Sequence, residues 1–427
     1  MDKRLHLAPS GVYPVTELTD VPLVRVPLVE HNPLPFVKKR VVVAEGALIA
    51  THSSPNIGDL HAPFTGTIKD VTSHFIAIEA LPEEKQELPA AVSGTVSASA
   101  SGAAGQGSSG NGEEDPATST AAPKGGGRFN QASVSFDGLN REELSIILKS
   151  LGVSVRQFAR RSRIFVINAL NPEPGMLYTQ ELLASYRHTL EAGLGLLKRL
   201  SGSEEYILAL PEGSPHALEG TTPRYVKPVY PISLTRPLAL KLTGKEYTGN
   251  ITVVRLHALF SLGIVARSGM PLTRILTTAL GRNYLAPLGT PVETFFSVAG
   301  AVPDDGDTVI IGGAMRGTAI PNLGRGLGKS DEAVLLAKKG TRPALEDNPC
   351  IGCGACVSVC PMRLRPNMLS RLAEFEQYEA CRKEHIDACT ECGMCGYVCP
   401  TCRPMQQYFR IAKFRLGIRS FQHIQGM

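Results

Sequence analysis

All ten cysteines of this 427-residue chain lie between Cys350 and Cys402, and the 349 residues before them contain none. Eight of the ten fall into two copies of one spacing. Cys350-Ile-Gly-Cys353-Gly-Ala-Cys356-Val-Ser-Val-Cys360-Pro361 reads C-x2-C-x2-C-x3-C-P, and Cys389-Thr-Glu-Cys392-Gly-Met-Cys395-Gly-Tyr-Val-Cys399-Pro400 repeats it. Three thiolates on one tight loop can reach three irons of a cubane, and the small residues between them let the backbone approach the sulfides. The fourth cysteine lies too far along the chain to close the same site, so it ligates the other cluster, as in two-cluster bacterial ferredoxins. The spacing predicts two [4Fe-4S] clusters. One is held by Cys350, Cys353, Cys356 and Cys399, the other by Cys389, Cys392, Cys395 and Cys360. Zinc, the competing metal for two-cysteine knuckles, needs four ligands per site and no twice-repeated eight-cysteine pattern with trailing prolines. Neither predicted cluster lacks a ligand, so neither offers an open iron to a substrate. The chemistry expected is one-electron relay, with no catalytic residue. Cys381 and Cys402 fall outside the pattern and read as spare buried thiols. A disulfide framework would spread its cysteines over the domains it staples; crowding them fits a metal centre in a reducing cytoplasm.

The elements that position these loops form a multidomain α+β chain. Hydrophobic content of 43% and charged content of 19% describe a globular protein, and a net charge of +5 over this length is too weak to argue for nucleic acid. The longest apolar run, Ile251 to Ile264, is broken by Arg255 and His257 and falls short of the roughly eighteen residues a spanning helix needs. No signal peptide is read at the N-terminus, and membrane contact is expected to be peripheral. Residues 1–83 carry short β-branched runs, Val21 to Val29, Arg40 to Val43 and Gly66 to Val71, with turns at Glu45-Gly46 and Thr65-Gly66. They predict a small antiparallel barrel or sandwich. Residues 84–128 turn to Ala, Ser, Gly, Thr and Pro and read as a flexible linker with too little apolar surface to offset ordering entropy. Residues 129–245 alternate helical spacing (Asn140 to Leu151, Gln180 to Leu200) with buried-strand runs (Ser162 to Asn168, Glu205 to Leu210), which implies a parallel, Rossmann-like α/β layer. Residues 246–335 return to strands with one helix at Val292 to Ala299, and residues 336–427 form a helical ferredoxin-like domain around the cysteines.

Gly324-Arg-Gly326-Leu-Gly328-Lys329-Ser330 imitates a phosphate loop, but Leu323 stands where the Walker A spacing needs glycine, and no strand precedes it. It reads as a mobile linker into the cluster domain. At the other end, Arg403, Arg410, Lys413, Arg415 and Arg419 interleave with Tyr408, Phe409, Phe414 and Phe421 and no acid. Such a helix can lie on an anionic membrane or close the core of its own domain, and the residues do not choose between the two.

The order of these parts resembles the RnfC family, a component of the Rnf membrane electron-transport complex, and, more distantly, the cobalamin reductase of propanediol-utilising bacteria. Both share domains with the NADH-binding flavoprotein of respiratory Complex I. Ser10-Gly11-Val12-Tyr13-Pro14 is similar to the family's opening Gly-Val-His-Pro. Val26 to His31 and His61-Ala-Pro-Phe-Thr-Gly66 are similar to its lipoyl-like barrel-sandwich, without a lysine for attachment. Gly289-Thr-Pro and Ile311-Gly312-Gly313-Ala-Met315-Arg-Gly317 are similar to its β-grasp (SLBB) segment, and Tyr397 to Pro400 with Tyr408 to Lys413 match its cluster domain. Where relatives carry a Gly-Gly-Ala-Gly-Phe-Pro flavin and nucleotide cradle, this chain has Gly152-Val-Ser-Val-Arg156-Gln-Phe158. The family's Glu-Cys-Glu-Pro becomes Asn171-Pro172-Glu173-Pro174, and its Tyr-Pro-x-Gly becomes Tyr230-Pro231-Ile232-Ser233. β-Branched residues keep the backbone from a pyrophosphate, so FMN is not expected and no cofactor-binding residue is assigned there.

The resemblance implies a peripheral component of a bacterial Rnf-like complex on the cytoplasmic face of the inner membrane. Its partners would be the membrane subunits and a redox protein, ferredoxin or cytochrome, with no nucleic acid. The competing readings are a free-standing flavin-dependent NADH or cobalamin reductase, and a docking scaffold whose clusters are structural.

Overall fold

The computed structural model describes residues 5–7, 13–28, 32–82, 133–244, 250–341, 345–346 and 348–418. The linker expected at 84–128, the opening motif at 10–12, residues 29–31 and the basic tail at 419–427 lie outside the described residues. The chain is a mixed α/β, multidomain assembly.

Between residues 21 and 80, two antiparallel sheets share one core. The first runs in the order Leu23–Pro27, Phe75–Ala80, Gly66–Val71, Val42–Val43, the second Leu34–Pro35, Leu48–Thr51, Leu60–His61. Alternation along Leu23–Pro27 sends Val24 and Val26 inward, where they meet Ile49, Ile68, Ile76 and Ile78. The first strands of the chain, expected with this sandwich, pair elsewhere. Leu5–His6 joins Val229–Tyr230, and Val15–Glu17 lies parallel to Arg282–Pro287. Strands this short carry no register signal of their own, so tertiary partners decide where they pair.

The parallel layer is present, with strand order Thr222–Val226, Glu205–Pro211, Ile164–Asn168, Ile251–Arg255. Its central strands are apolar on both faces because helices cover one side and a second apolar cluster the other. Helix Arg141–Ser150 starts at an Asn140 capping box in which the Asn140 side chain accepts from Glu143 N and the Glu143 side chain accepts from Asn140 N. The predicted helix Gln180 to Leu200 is two, Thr179–Ser185 and Arg187–Ser201. The layer also runs past residue 245. Ile251–Arg255 is its edge strand, and Leu256–Ser268, read in the sequence as part of a broken apolar run, is a helix packed on Arg187–Ser201. Helix Val292–Ala299 has the predicted bounds and closes a six-stranded mixed sheet.

The glycine run is not a linker. Gly326 bridges to Pro291, Leu327 is fully buried, and Lys329 Nζ donates at 2.6 Å to the carbonyls of Asp59 and of Gly152. A Cβ on Gly326 would stand 1.8 Å from the carbonyl oxygen of Arg25. Gly326→Ala should therefore destabilise the protein by about 1–3 kcal/mol through forced displacement of backbone. Gly195, where an added Cβ meets nothing within 4 Å, is the matched control and should gain about 0.5–1 kcal/mol as alanine. Urea unfolding midpoints decide; an unchanged Gly326→Ala would return the segment to a linker.

The same corner holds a buried charge group. Asp59 takes Lys149 Nζ at 2.9 and 3.1 Å and the His52 N–H at 3.0 Å. Beside it His61 is 2% exposed, and burial, then the Lys329 charge, push its pKa down to about 3 from the ordinary 6.5. The imidazole is neutral in the folded protein while the unfolded chain takes a proton below about pH 6.5. Stability should fall as pH drops from there toward 3, by up to ~1.4 kcal/mol per pH unit. Thermal midpoints of wild type and His61→Gln between about pH 7 and 5 test it, with a flatter slope expected for the variant; parallel slopes would clear His61 of any part in acid sensitivity.

Candidate iron–sulfur centre

Both cysteine motifs fold the same way because each places a left-handed glycine before a single helical turn. Gly354, at φ 71°, precedes Ala355–Ser358, and Gly393, at φ 78°, precedes Met394–Tyr397. Only glycine takes that conformation cheaply, and it turns the three leading thiols of each loop toward one space. The two turns pack against each other, which carries the fourth cysteine of each motif to the other loop.

Two small cavities result. Cys350, Cys353, Cys356 and Cys399 line one, and Cys360, Cys389, Cys392 and Cys395 line the other. These are the groupings read from the spacing. All ten thiols are free. Among the described residues no group of three or more His, Cys, Asp or Glu is placed to hold a single metal ion. Polar hydrogens already point at sulfur. Leu364 N donates to Cys360 Sγ and Glu391 N to Cys389 Sγ, both at 3.4 Å, and the Thr401 hydroxyl lies 3.3 Å from Cys399 Sγ. Burial pushes the Cys392 thiol up to about 12 and raises Cys389 and Cys395. At Cys399 burial also pushes upward, but the Thr401 hydroxyl, backbone N–H groups and the Arg403 charge outweigh it and lower the pKa. Thiolates this buried need a cation beside them. Four thiols around a dry space, with N–H groups aimed at sulfur, fit a cubane in each cavity.

The cavities differ in setting. The first lies near the surface, with Cys353 exposed and Ile351 and Tyr397 65% and 52% exposed. The second faces the body of the protein and is bedded on Met362, Leu364, Leu369 and Phe409. There Tyr230 Oη donates to Cys392 O at 2.8 Å, and Gln406 Nε2 donates to Glu391 O at 2.8 Å and Met315 O at 3.0 Å. Lys413 Nζ donates to Cys389 O at 2.7 Å and to Glu391 Oε1 at 2.8 Å. The sequence reading gave none of these residues a place at the site. Gln406, Arg410 and Lys413 do share one face of a helix at i, i+4 and i+7, which was the available signal.

Of the stretch with two open readings, the described helix Met405–Arg415 packs into its own domain. Arg403 is 1% exposed and pairs with Glu374 at 2.6 Å, while Phe409 and Lys413 are also buried. The helix closes its own domain's core, and of its apolar residues Ile411 and Phe414 remain outside. Cys381 is buried, its Sγ 3.7 Å from Leu369 O, and Cys402 is half-buried; neither lines a cysteine cavity.

The residues that the resemblance sets against a flavin cradle make structural contacts here. Val153 and Val155 are core, and Asn171 Nδ2 donates to Leu7 O at 2.8 Å. Ser233 Oγ donates to Pro172 O at 2.7 Å, and the Lys329 ammonium sits against the carbonyl of Gly152. Arg156, Arg160 and Arg161 are exposed.

Residues 342–400 match the family described as a 4Fe-4S dicluster domain. The chain is 26% identical to the C subunit of the ion-translocating oxidoreductase complex of Rhodobacter capsulatus, over 96% of this chain and 83% of that protein. It is 28% identical to the C subunit of the proton-translocating ferredoxin:NAD(+) oxidoreductase complex of Clostridium ljungdahlii, over 52% of this chain and 53% of that one. The corresponding Yersinia pseudotuberculosis protein is 28% identical over 58% of this chain and 39% of its own length. Among solved structures, an NAD+-reducing [NiFe]-hydrogenase in the H2-reduced state aligns at 16% identity and a TM-score of 0.38, over 63% of this chain and 58% of that one. Along nearly its whole length, then, the chain is similar to the C subunit (RnfC) of the Rhodobacter capsulatus ion-translocating oxidoreductase complex, over about half of it to other such C subunits, and its cysteine-rich end matches a 4Fe-4S dicluster domain.

Proposed function

We propose that this protein relays single electrons through two [4Fe-4S] clusters as the peripheral RnfC component of an Rnf-like, ion-translocating membrane complex, without an NADH or FMN site of its own. One observation carries the reading: each of two cavities gathers three thiols from one motif and the fourth from the other. Cys350, Cys353, Cys356 and Cys399 would hold the first cluster, and Cys389, Cys392, Cys395 and Cys360 the second. The clusters supply one-electron chemistry. The chain supplies thiolates, N–H groups to sulfur and a water-poor bed around the inner cavity. In this reading the sandwich is the lipoyl-like domain, the parallel layer the flavoprotein-like one, and the six-stranded sheet contains the SLBB segment. The outer cavity, lined by exposed Ile351 and Cys353, is where a ferredoxin- or cytochrome-like partner or a membrane subunit exchanges electrons. Among the described residues no helix is long and apolar enough to cross a membrane, so association with the cytoplasmic face of a bacterial inner membrane would run through the membrane subunits.

A tagged chain captured from membranes in mild detergent should bring integral membrane redox subunits with it, and both clusters should reduce and reoxidise reversibly. Recovery of the chain alone with reducible clusters would favour a free-standing protein. Clusters that refuse reduction would favour a scaffold.

A further inference from the structure

Glu391 lines the second cysteine cavity, and Lys413 stands behind it in an ion pair that an apolar core does not need. Lys413 and Glu391 are 2% and 0% exposed at their side chains, and their charged atoms meet at 2.8 Å. Arg410 Nε stands 3.6 Å from the other Glu391 oxygen. Taking such groups out of water is costly, and apolar residues of similar size would fill the space at less expense. The pair also touches the cysteine loop itself. Lys413 Nζ bonds the carbonyl of Cys389 at 2.7 Å, and Glu391 N donates to the sulfur of the same residue at 3.4 Å. The first cavity has a different pair near it, Arg403 with Glu374, which lies outside its cysteine loops and leaves the carboxylate 25% exposed. Its loop from Cys350 to Cys360 and the stretch from Gly393 to Cys402 contain no charged residue, and the nearby Arg403 is paired to Glu374 at 2.6 Å.

We propose that Lys413 and Glu391 are opposed positioning residues that set the reduction potential of the second cluster independently of the first. The inference rests on the two-cluster reading above. Reduction adds one electron and no proton to the site, so its net charge becomes more negative by one. A buried cation held against the cysteine loop favours the reduced state and a buried anion opposes it, because little water is present to screen either. The fixed pair thus offers two adjustments of opposite sign on one cluster, which lets the inner and outer clusters of a relay stand at different potentials.

The test is a dye-mediated titration with dithionite, followed by EPR, on the anaerobically purified full chain, with iron and sulfide assayed on every sample. Lys413→Met should make the second cluster harder to reduce by about tenfold in its one-electron equilibrium constant, ~59 mV. Glu391→Gln should make it easier by a similar factor, and Lys413→Arg should stay near wild type. The first cluster should not move in any of them. A structural role alone does not produce opposite shifts from neighbouring substitutions. Shifts of the same sign, no shift at full iron content, or equal movement of both clusters would overturn the proposal. So would loss of second-cluster iron in both Lys413→Arg and Glu391→Gln. If only Lys413→Met loses iron, the Glu391→Gln shift decides. Wild type with only four irons would sink the two-cluster reading instead, so the two failures are distinguishable.

Discussion

Purified without oxygen, the chain should hold about eight irons with matching sulfide, and Cys360→Ser should strip the second cluster while leaving the first. Cys360 sits in the first motif by sequence, so a reading in which each motif closes its own site predicts loss of the first cluster. The structure places its thiol in the cavity of Cys389, Cys392 and Cys395, where Leu364 N already donates to it at 3.4 Å. Cys399→Ser should do the reverse, because its thiol lines the cavity of the Cys350 loop. The inner site should suffer the larger effect. Its remaining thiols are buried, with Cys392 pushed up to about 12, so a cluster held by three of them loses compensation for charges that water cannot replace. Cys381→Ser should retain both clusters, since that thiol faces Leu369 O away from either cavity. Iron content near four in wild type, or stoichiometric zinc, would refute the assignment. Equal iron loss in Cys381→Ser would show that a different set of eight is used.

Acid extraction of the same preparation should yield far less than one flavin per chain, and added NADH should leave the cluster absorbance unbleached. Burying a pyrophosphate takes several backbone N–H groups turned inward through positions that lack a Cβ. After Gly152 the chain presents Val153 and Val155, both turned into the core, and Lys329 Nζ holds the carbonyl of Gly152 at 2.6 Å. Asn171 and Ser233, which the resemblance sets at an acid and a glycine position, are occupied with Leu7 O and Pro172 O. The exposed guanidinium groups of Arg156 and Arg160 are the competing route, since arginine can salt-bridge a phosphate. They would have to replace backbone donors from the surface and leave the ring contacts unmade. Near-stoichiometric FMN, or rapid NADH-driven bleaching with no added protein, would turn the relay into a flavoenzyme.

What the sequence by itself determined is local chemistry. Two loops of three cysteines are legible because their thiols lie within a few residues of each other, and the cysteine before each trailing proline, which the spacing assigns to the partner loop, lines that loop's cavity. Helix Arg141–Ser150 is legible from the helical spacing of Asn140 to Leu151, and helix Val292–Ala299 is legible at its bounds, since the groups that start and fill a helix lie within a few residues of each other. What only the tertiary structure decided depends on partners far along the chain. Two- and three-residue strands such as Leu5–His6 and Val15–Glu17 take their place from the sheet edges they meet. The break between Arg255 and Leu256 depends on which neighbours pair with the strand and which bury the helix. Gly324 to Lys329 looked mobile because glycine removes side-chain contacts, yet it also permits the close approach to Arg25 and Gly289 that packs the segment. The basic helix at Met405–Arg415 left a membrane and a core both open because a cation's pattern does not reveal its counter-charge. Glu374 lies twenty-nine positions from Arg403 and Glu391 twenty-two from Lys413, and only the folded chain brings these charges into contact.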